Sequence, residues 1–258
     1  MIKLSKKFVA FDLDGTLAIS KQALDSDMAE LLCELAKEKK VVIISGGAFP
    51  QFQKQFFPFF IPKKEDADMV YSNLILLPTS GSRRYQYDIE KEEWIITDEE
   101  AMEKDLREKV IKTLKEYVAT GKYNMVPVIE GDEIVEDRIT QVSLSALGQH
   151  ASYEIKKLWD PDQKKRKVIK KELEALLPEV EISIGGTTTL DCLTKDFNKA
   201  KGLIRLLDHM SSTINDMVFV GDAIFPGGND YSPCEAGIES IKISGPAETK
   251  EVIKKWLV

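Results

Sequence analysis

The stretch that most constrains this chain is Phe8-Val9-Ala10-Phe11-Asp12-Leu13-Asp14-Gly15-Thr16-Leu17. Its short apolar run reads as a buried strand that stops at two aspartates. Side chains of a strand alternate faces, so Asp12 and Asp14 share a side only while the backbone stays extended. Gly15 lets the chain turn sharply just beyond them. An Asp-Gly pair after a strand is, alone, an ordinary turn. Its place gives it more meaning, because open α/β sheets bind ligands at the carboxyl ends of their strands. Two carboxylates there suit a hard metal ion and an anionic substrate.

The segments around this strand predict a parallel core. Residues 25–39 read as a helix capped by Asp25 or Ser26, with Met28, Leu31, Leu32 and Leu35 on one face. Val41-Val42-Ile43-Ile44 follows as a buried strand ending at Ser45-Gly46-Gly47, which completes a strand-helix-strand unit. Met69-Val70-Tyr71 is expected as a third core strand, and Phe56-Phe57-Pro58-Phe59-Phe60 as packing at a helix end. From about residue 80 the pattern changes. Residues 80–98 alternate through Tyr85, Tyr87 and Ile89 like a hairpin, 99–119 and 162–177 are amphipathic helices, and 134–146 alternate again. The core pattern returns in the helix 199–209 and the strands 217–220 and 241–243. The predicted fold is α/β: a parallel, doubly wound, Rossmann-like core of residues 1–83 and 194–258, interrupted by an inserted α+β cap of residues 84–193.

Composition limits the partners. A formal net charge of −7 argues against a general nucleic-acid binder, yet allows a phosphorylated ligand held by a few local cations. Lys164-Lys165-Arg166-Lys167 reads as a solvated helix start. No apolar stretch reaches the roughly 18 to 20 residues that span a membrane. Cys33, Cys192 and Cys234 are too scattered for a metal knot and read as reduced thiols of a cytoplasmic protein.

Three further features converge on the first. Val218-Phe219-Val220-Gly221-Asp222 is a second strand ending in a carboxylate, with Asn229-Asp230 shortly after. Asp12, Asp222, Asp230 and the main chain of Asp14 are therefore candidate ligands for magnesium, which takes few carboxylates and keeps waters and phosphate oxygens. Ser45, with the amides of Gly46 and Gly47, is placed to hold phosphate oxygens or to cap a helix. Lys199 opens a helix, where a cation is unfavourable unless it faces an anion; Lys201 meets the same argument.

Taken in order, Asp12-Leu13-Asp14-Gly15-Thr16, Ser45, Lys199 and Gly221-Asp222 with Asn229-Asp230 resemble the haloacid dehalogenase-like phosphotransferases. The resemblance implies that Asp12 is a nucleophile forming an aspartyl-phosphate. It further implies Asp14 as general acid and base, with Mg2+, Lys199 and Ser45 orienting the phosphoryl group. Over most of the chain the sequence is similar to the eukaryotic-type phosphomannomutases, through Phe219 to Asp230, Ile182-Ser183-Ile184-Gly185-Gly186, Phe197-Asn198-Lys199 and the cap segment Arg138 to Gly148. This likeness implies that Arg138 and Arg166 bind the distal phosphate of a sugar, and that Thr189 and Asp191 contact the sugar.

Departures from that pattern fall on the substrate contacts. Gln149 stands where the family has another phosphate-binding arginine, Lys21 stands for an arginine after the first motif, and Ser72-Asn73-Leu74 replaces a Glu-Asn-Gly turn. Replacing an arginine by glutamine removes both the charge and the two-pronged geometry of a phosphate clamp. The expected activity is interconversion of mannose 6-phosphate and mannose 1-phosphate, primed by a hexose 1,6-bisphosphate activator, with a sugar-phosphate phosphatase as the alternative. The expected partner is a small-molecule sugar phosphate, with neither nucleic acid nor membrane; a homodimer, if formed, would join through the cap.

Overall fold

A computed structural model of the protein describes residues 4–19, 22–195 and 197–257. Lys21, a candidate substrate contact, lies outside them. The first part of the chain forms β1 (Phe8–Asp12), α1 (Ser26–Ala36), β2 (Lys40–Ile44), α2 (Phe49–Gln55), α3 (Ala67–Asn73), β3 (Leu74–Leu77), β4 (Arg83–Asp88) and β5 (Glu93–Glu99). The middle part forms α4 (Lys104–Ala119), β6 (Val135–Asp137), β7 (Gln141–Ser145), α5 (Tyr153–Trp159), α6 (Lys164–Leu176), β8 (Val180–Gly185) and β9 (Thr189–Thr194). The last part forms α7 (Lys199–His209), β10 (Met217–Gly221), α8 (Tyr231–Glu235), β11 (Glu239–Lys242) and α9 (Pro246–Trp256). Contacts divide the chain into two compact units, Met1–Glu99 with Asn198–Val258, and Glu100–Phe197. Among the described residues no helix is long and apolar enough to cross a membrane.

The first unit is built on a seven-stranded sheet in the order β11-β10-β1-β2-β3-β4-β5. Pairings from β11 through β3 are parallel, and β4 and β5 add antiparallel. All five residues of β1 are buried, as expected of a central strand with helices on both faces. Each large apolar side chain so buried contributes about 1.5–3 kcal/mol. The chain leaves β1 for β2 on one side and returns later through β10 on the other. β1 and β10 are therefore neighbours at the point where the strand order reverses, which is where such sheets bind ligands.

Two sequence expectations are corrected here. Met69-Val70-Tyr71 lies in α3, and the third parallel strand is the next run, Leu74–Leu77, whose four side chains are buried. Met69 is largely exposed, while the Asn73 side chain donates to the Ala36 carbonyl at 2.8 Å as α3 ends. The hairpin 83–99 extends the core sheet instead of belonging to the insertion. Its aromatic residues find their partners in the first unit: Tyr85 stacks on Phe49 at 3.9 Å between centroids, Tyr87 on Tyr71 at 4.4 Å, and Trp94 on Phe57 at 5.3 Å. Such pairs add stabilisation beyond their buried area. They fix the hairpin where period-two alternation alone left its sheet undefined.

The second unit carries a four-stranded antiparallel sheet in the order β6-β7-β9-β8. Val142, Leu144, Ile182, Leu190 and Cys192 pack against Val110 and Leu114 of α4 and Ile169 and Leu173 of α6. The alternate positions of the central strands are polar: Gln141, Ser143 and Ser145 on β7, and Thr189 and Asp191 on β9. Sequence alternation thus becomes one apolar face sealed by helices and one polar face.

Candidate active site

Asp12 is the last residue of β1, and Asp222 directly follows β10. With Asp230 they form a triad whose nearest carboxylate oxygens all lie within 4.8 Å of one another. Asp12 is 3% exposed and Asp230 fully buried. Lys199, the first residue of α7 and 2% exposed, donates from Nζ to Asp12 Oδ1 at 2.5 Å and to Asp230 Oδ1 at 2.6 Å. These two bonds identify Lys199 as the lysine on the acids, while the backbone N–H of Lys201 donates to the helix cap Asn198 Oδ1 at 3.1 Å. Asp230 is fixed further by the Ala223 N–H at 3.1 Å, and Asp222 accepts from Thr16 Oγ1 at 3.3 Å. Gly15 has φ of +91°, and a Cβ there would fall 2.7–2.9 Å from the Asp222 carboxylate. Only glycine lets the turn after the first motif pass this close to Asp222.

The charges of this cluster do not balance within the protein. With all three carboxyl groups ionised, the Lys199 ammonium leaves two negative charges over. Burial pushes the Asp12 carboxyl well above its ordinary range, and Asp230 and Asp14 push the same way while Lys199 opposes them. Burial and then Asp230 also raise Asp222. Burial disfavours the Lys199 ammonium, but Asp12 and Asp230 outweigh it and keep the amine protonated. An all-oxygen donor set with excess negative charge fits a hard divalent cation. Asp14 does not join the triad: its Oδ2 accepts from Gln51 Nε2 at 2.6 Å and its Oδ1 from Gln55 Nε2 at 3.1 Å.

Ser45 is buried just past β2, with its N–H bonded to the Leu77 carbonyl at 3.1 Å. Its Oγ accepts from the Gly47 N–H at 3.1 Å, so that amide is already used. Ala48, not Ser45, is the cap of α2. Ser45 and Gly46 thus stay at the end of β2, the strand beside β1.

In the second unit the polar sheet face gathers several of the predicted contacts. Asp191 Oδ1 accepts from Gln141 Nε2 at 2.7 Å and Ser143 Oγ at 2.5 Å, and lies 3.9 Å from Arg138 Nη1. Thr189 pairs with Ser145 across the sheet. Arg138 is chiefly held by Glu136, at 2.9 Å from Nε and 2.6 Å from Nη2, and Gln149 Oε1 approaches Nη2 at 3.5 Å. Arg166 is committed elsewhere. At 2% exposure it binds Asp160 through Nε at 2.8 Å and the Gly185 and Gly186 carbonyls through Nη1 at 3.1 and 2.6 Å, tying α6 to the β8–β9 turn.

Residues 9–232 match the haloacid dehalogenase-like hydrolase family. The chain belongs to this family. Among proteins of known name it is similar to phosphomannomutase 2 of Dictyostelium discoideum, 26% identical over 95% of this chain and 94% of that protein. It is also similar to the phosphomannomutase of Spinacia oleracea, 26% identical over 86% of this chain and 83% of that protein. The IMP-bound, N-terminally truncated IMP-nucleotidase of Plasmodium falciparum shares the fold, with a TM-score of 0.71 at 17% identity, over 98% of this chain and 68% of that one. The family and the named relatives support an enzyme of sugar-phosphate phosphotransfer.

Sequence reading passed over Gln51, Gln55 and Lys156, and read His150 as structural or exposed with no carboxylate nearby in sequence. Gln51 and Gln55 hold Asp14 from one face of α2, and neither carries a charge or motif that would draw notice. Lys156, 6% exposed on α5, donates to the Gln149 carbonyl at 2.8 Å. His150 pairs through Nδ1 with Asp132 Oδ1 at 2.9 Å, a partner 18 positions away in sequence.

Proposed function

We propose that this chain is a Mg2+-dependent phosphotransferase of hexose phosphates that works through a phosphorylated Asp12, and that its reaction is the interconversion of mannose 6-phosphate and mannose 1-phosphate. The observation that carries the reading is the buried Asp12 carboxylate, oriented by Lys199 at the end of β1 beside Asp222 and Asp230. The choice of sugar rests on the relatives named phosphomannomutase, aligned over 94% and 83% of the two proteins described above.

In this scheme an Asp12 oxygen attacks phosphorus and the bond to the sugar oxygen breaks, leaving an acyl phosphate on Asp12. Asp14 gives the departing oxygen its proton and later takes one from the accepting hydroxyl. Lys199 and Ser45 orient the phosphoryl oxygens. Magnesium held by Asp12, Asp222 and Asp230, with the Asp14 main chain, would supply charge neutralisation of those oxygens. Arg138, Thr189, Asp191 and Gln149 of the second unit are assigned to the sugar, and a hexose 1,6-bisphosphate primes Asp12.

A second reading, hydrolysis of a sugar monophosphate, is favoured by the second unit. Arg166 is enclosed, Arg138 is paired with Glu136, and residue 149 is a glutamine, so these three positions predicted to hold a second phosphate offer it less than three arginines would. One experiment tests both. Mannose 1-phosphate and Mg2+ are supplied with and without glucose 1,6-bisphosphate, and isomer and free phosphate are followed together. Isomer that rises with the bisphosphate supports the mutase, and phosphate alone supports the phosphatase. Turnover retained by Asp12→Asn would refute the shared mechanism.

A further inference from the structure

We propose that Gln51 and Gln55 are positioning residues for Asp14, a paired amide clamp that fixes where its carboxyl group points. The two glutamines lie one turn apart on α2, so their side chains leave the same face. Each donates to a different oxygen of Asp14, at 2.6 Å to Oδ2 and 3.1 Å to Oδ1, which fixes the carboxyl plane as well as its direction.

The clamp is itself held. Gln55 is 3% exposed, and its Nε2 also donates to the Gln22 carbonyl at 2.9 Å, so its amide cannot reverse without losing two acceptors. The Gln55 carbonyl in turn accepts from the Leu24 N–H at 2.7 Å. Phe52 and Phe56, both wholly buried, anchor the helix behind the glutamines. Gln51 reaches Asp14 by crossing Gly47, where a Cβ would lie 1.9 Å from Gln51 Oε1.

Neutral donors suit this task. Asp14 sits two residues from Asp12, whose ammonium partner and cation site attract any carboxylate. A lysine or arginine clamp would add charge to that balance; two amides oppose the attraction without changing it. The consequence follows from the reading of Asp14 as acid and base, on which this inference rests. A misdirected Asp14 should fail at delivering a proton to a poor leaving group and be nearly irrelevant to a good one.

The test compares first-turnover release of the leaving group from two esters, mannose 1-phosphate and p-nitrophenyl phosphate, in the full chain with Mg2+. Nitrophenolate departs without a proton, whereas a sugar oxygen needs one. Gln51→Leu and Gln55→Leu should slow release from the sugar ester by about tenfold or more, a part of the 10²–10⁴ that general acid catalysis provides. Release from the aryl ester should change by less than about twofold. Asp14→Asn should show the same split more strongly. Equal losses on both esters, or no loss on either, in the half-exposed Gln51→Leu variant would overturn the proposal, since a merely structural glutamine does not distinguish leaving groups. If Asp14→Asn itself shows no split, the acid and base assignment fails instead.

Discussion

Replacing Lys199 by methionine removes the ammonium that touches Asp12 and Asp230 of the acidic triad while keeping most of the side-chain volume. Lys199 is 2% exposed and makes two charge-assisted contacts, 2.5 Å to Asp12 and 2.6 Å to Asp230. Removing one partner of a buried ion pair leaves an uncompensated charge and costs about 3–5 kcal/mol, a large share of a total stability of about 5–15 kcal/mol. The loss should appear in EDTA and shrink in Mg2+, because a bound cation takes over the neutralisation. A metal at a hundred times its dissociation constant stabilises by about 2.7 kcal/mol, and the variant should gain more from it than the parent. Hydrogen exchange of the β1 and β10 amides under native conditions reads the opening free energy of this unit. The sign of the pH dependence also follows. The Lys199 amine is raised in the folded state, so its contribution is complete below the unfolded value of about 10.4 and is lost as pH rises through the folded one. The part of the deficit that comes from the amine's own titration should therefore be flat through neutral pH, and any slope there belongs to the Asp12 and Asp222 carboxyl groups that burial raises. A deficit below about 1 kcal/mol in EDTA, or equal Mg2+ stabilisation of parent and variant, would show that Lys199 is not the countercharge.

Ile139 holds φ of +69° at the β6–β7 turn, a conformation that costs a β-branched residue about 1–2 kcal/mol, so Ile139→Gly should leave the second unit's stability unchanged or higher in urea unfolding. A fall of more than about 1 kcal/mol would mean that the side chain contributes packing which outweighs the strain. Gly15→Ala should weaken Mg2+ binding in calorimetric titration, because the added methyl meets the Asp222 carboxylate within 3 Å; unchanged affinity would place Asp222 outside the cation site. Burial pushes the Cys33 thiol to about 11 and raises Cys192 as well, while Cys234 is exposed. A thiol reagent near neutral pH should therefore find one fast equivalent in the native protein and three in urea; three fast equivalents at the start would contradict the burial of the other two.

The elements whose ends carry chemistry were legible because their sequence signals are local. An apolar run that stops at Asp12, another that stops at Asp222, and a helix that opens on Lys199 after the Asn198 cap each declare a boundary within a few residues. Their convergence needed only the rule that parallel strands present their carboxyl ends together. What escaped depends on long-range partners. Period-two alternation in 83–99 shows a hairpin but not its sheet, which is decided by Phe49, Phe57 and Tyr71 far earlier in the chain. Met69-Val70-Tyr71 has strand-forming residues, yet Leu74–Leu77 wins the place beside β2 because all four of its residues can be buried. Arg166 looked available because an arginine in a basic run is usually solvated. Its sequestration is decided by Asp160 and the β8–β9 turn, at offsets of 6, 19 and 20 residues that no helix pattern shows.

The choice of acceptor then becomes a question of charge on the second unit's polar face. Arg138, and Lys156 through the Gln149 carbonyl, bring two positive charges to this neighbourhood; Glu136 and Asp191 bring two negative ones. A sugar's hydroxyl groups meet no penalty on such a face, since Ser143 and Gln141 offer uncharged donors and acceptors and a hydroxyl can donate to the Asp191 carboxylate. A second phosphate, with a charge near −2, is different. To gain Arg138 as a partner it must displace Glu136, which gives up charge-assisted bonds of about 1.5–3 kcal/mol each. Glu136 thus opposes a bisphosphate more than it opposes a monophosphate. Glu136→Gln, by weakening the competing pair, should raise the ratio of isomer to free phosphate in the two-product assay if Arg138 serves the distal phosphate. An unchanged ratio would mean that the second unit reads the hydroxyl groups of the sugar and not a second phosphate.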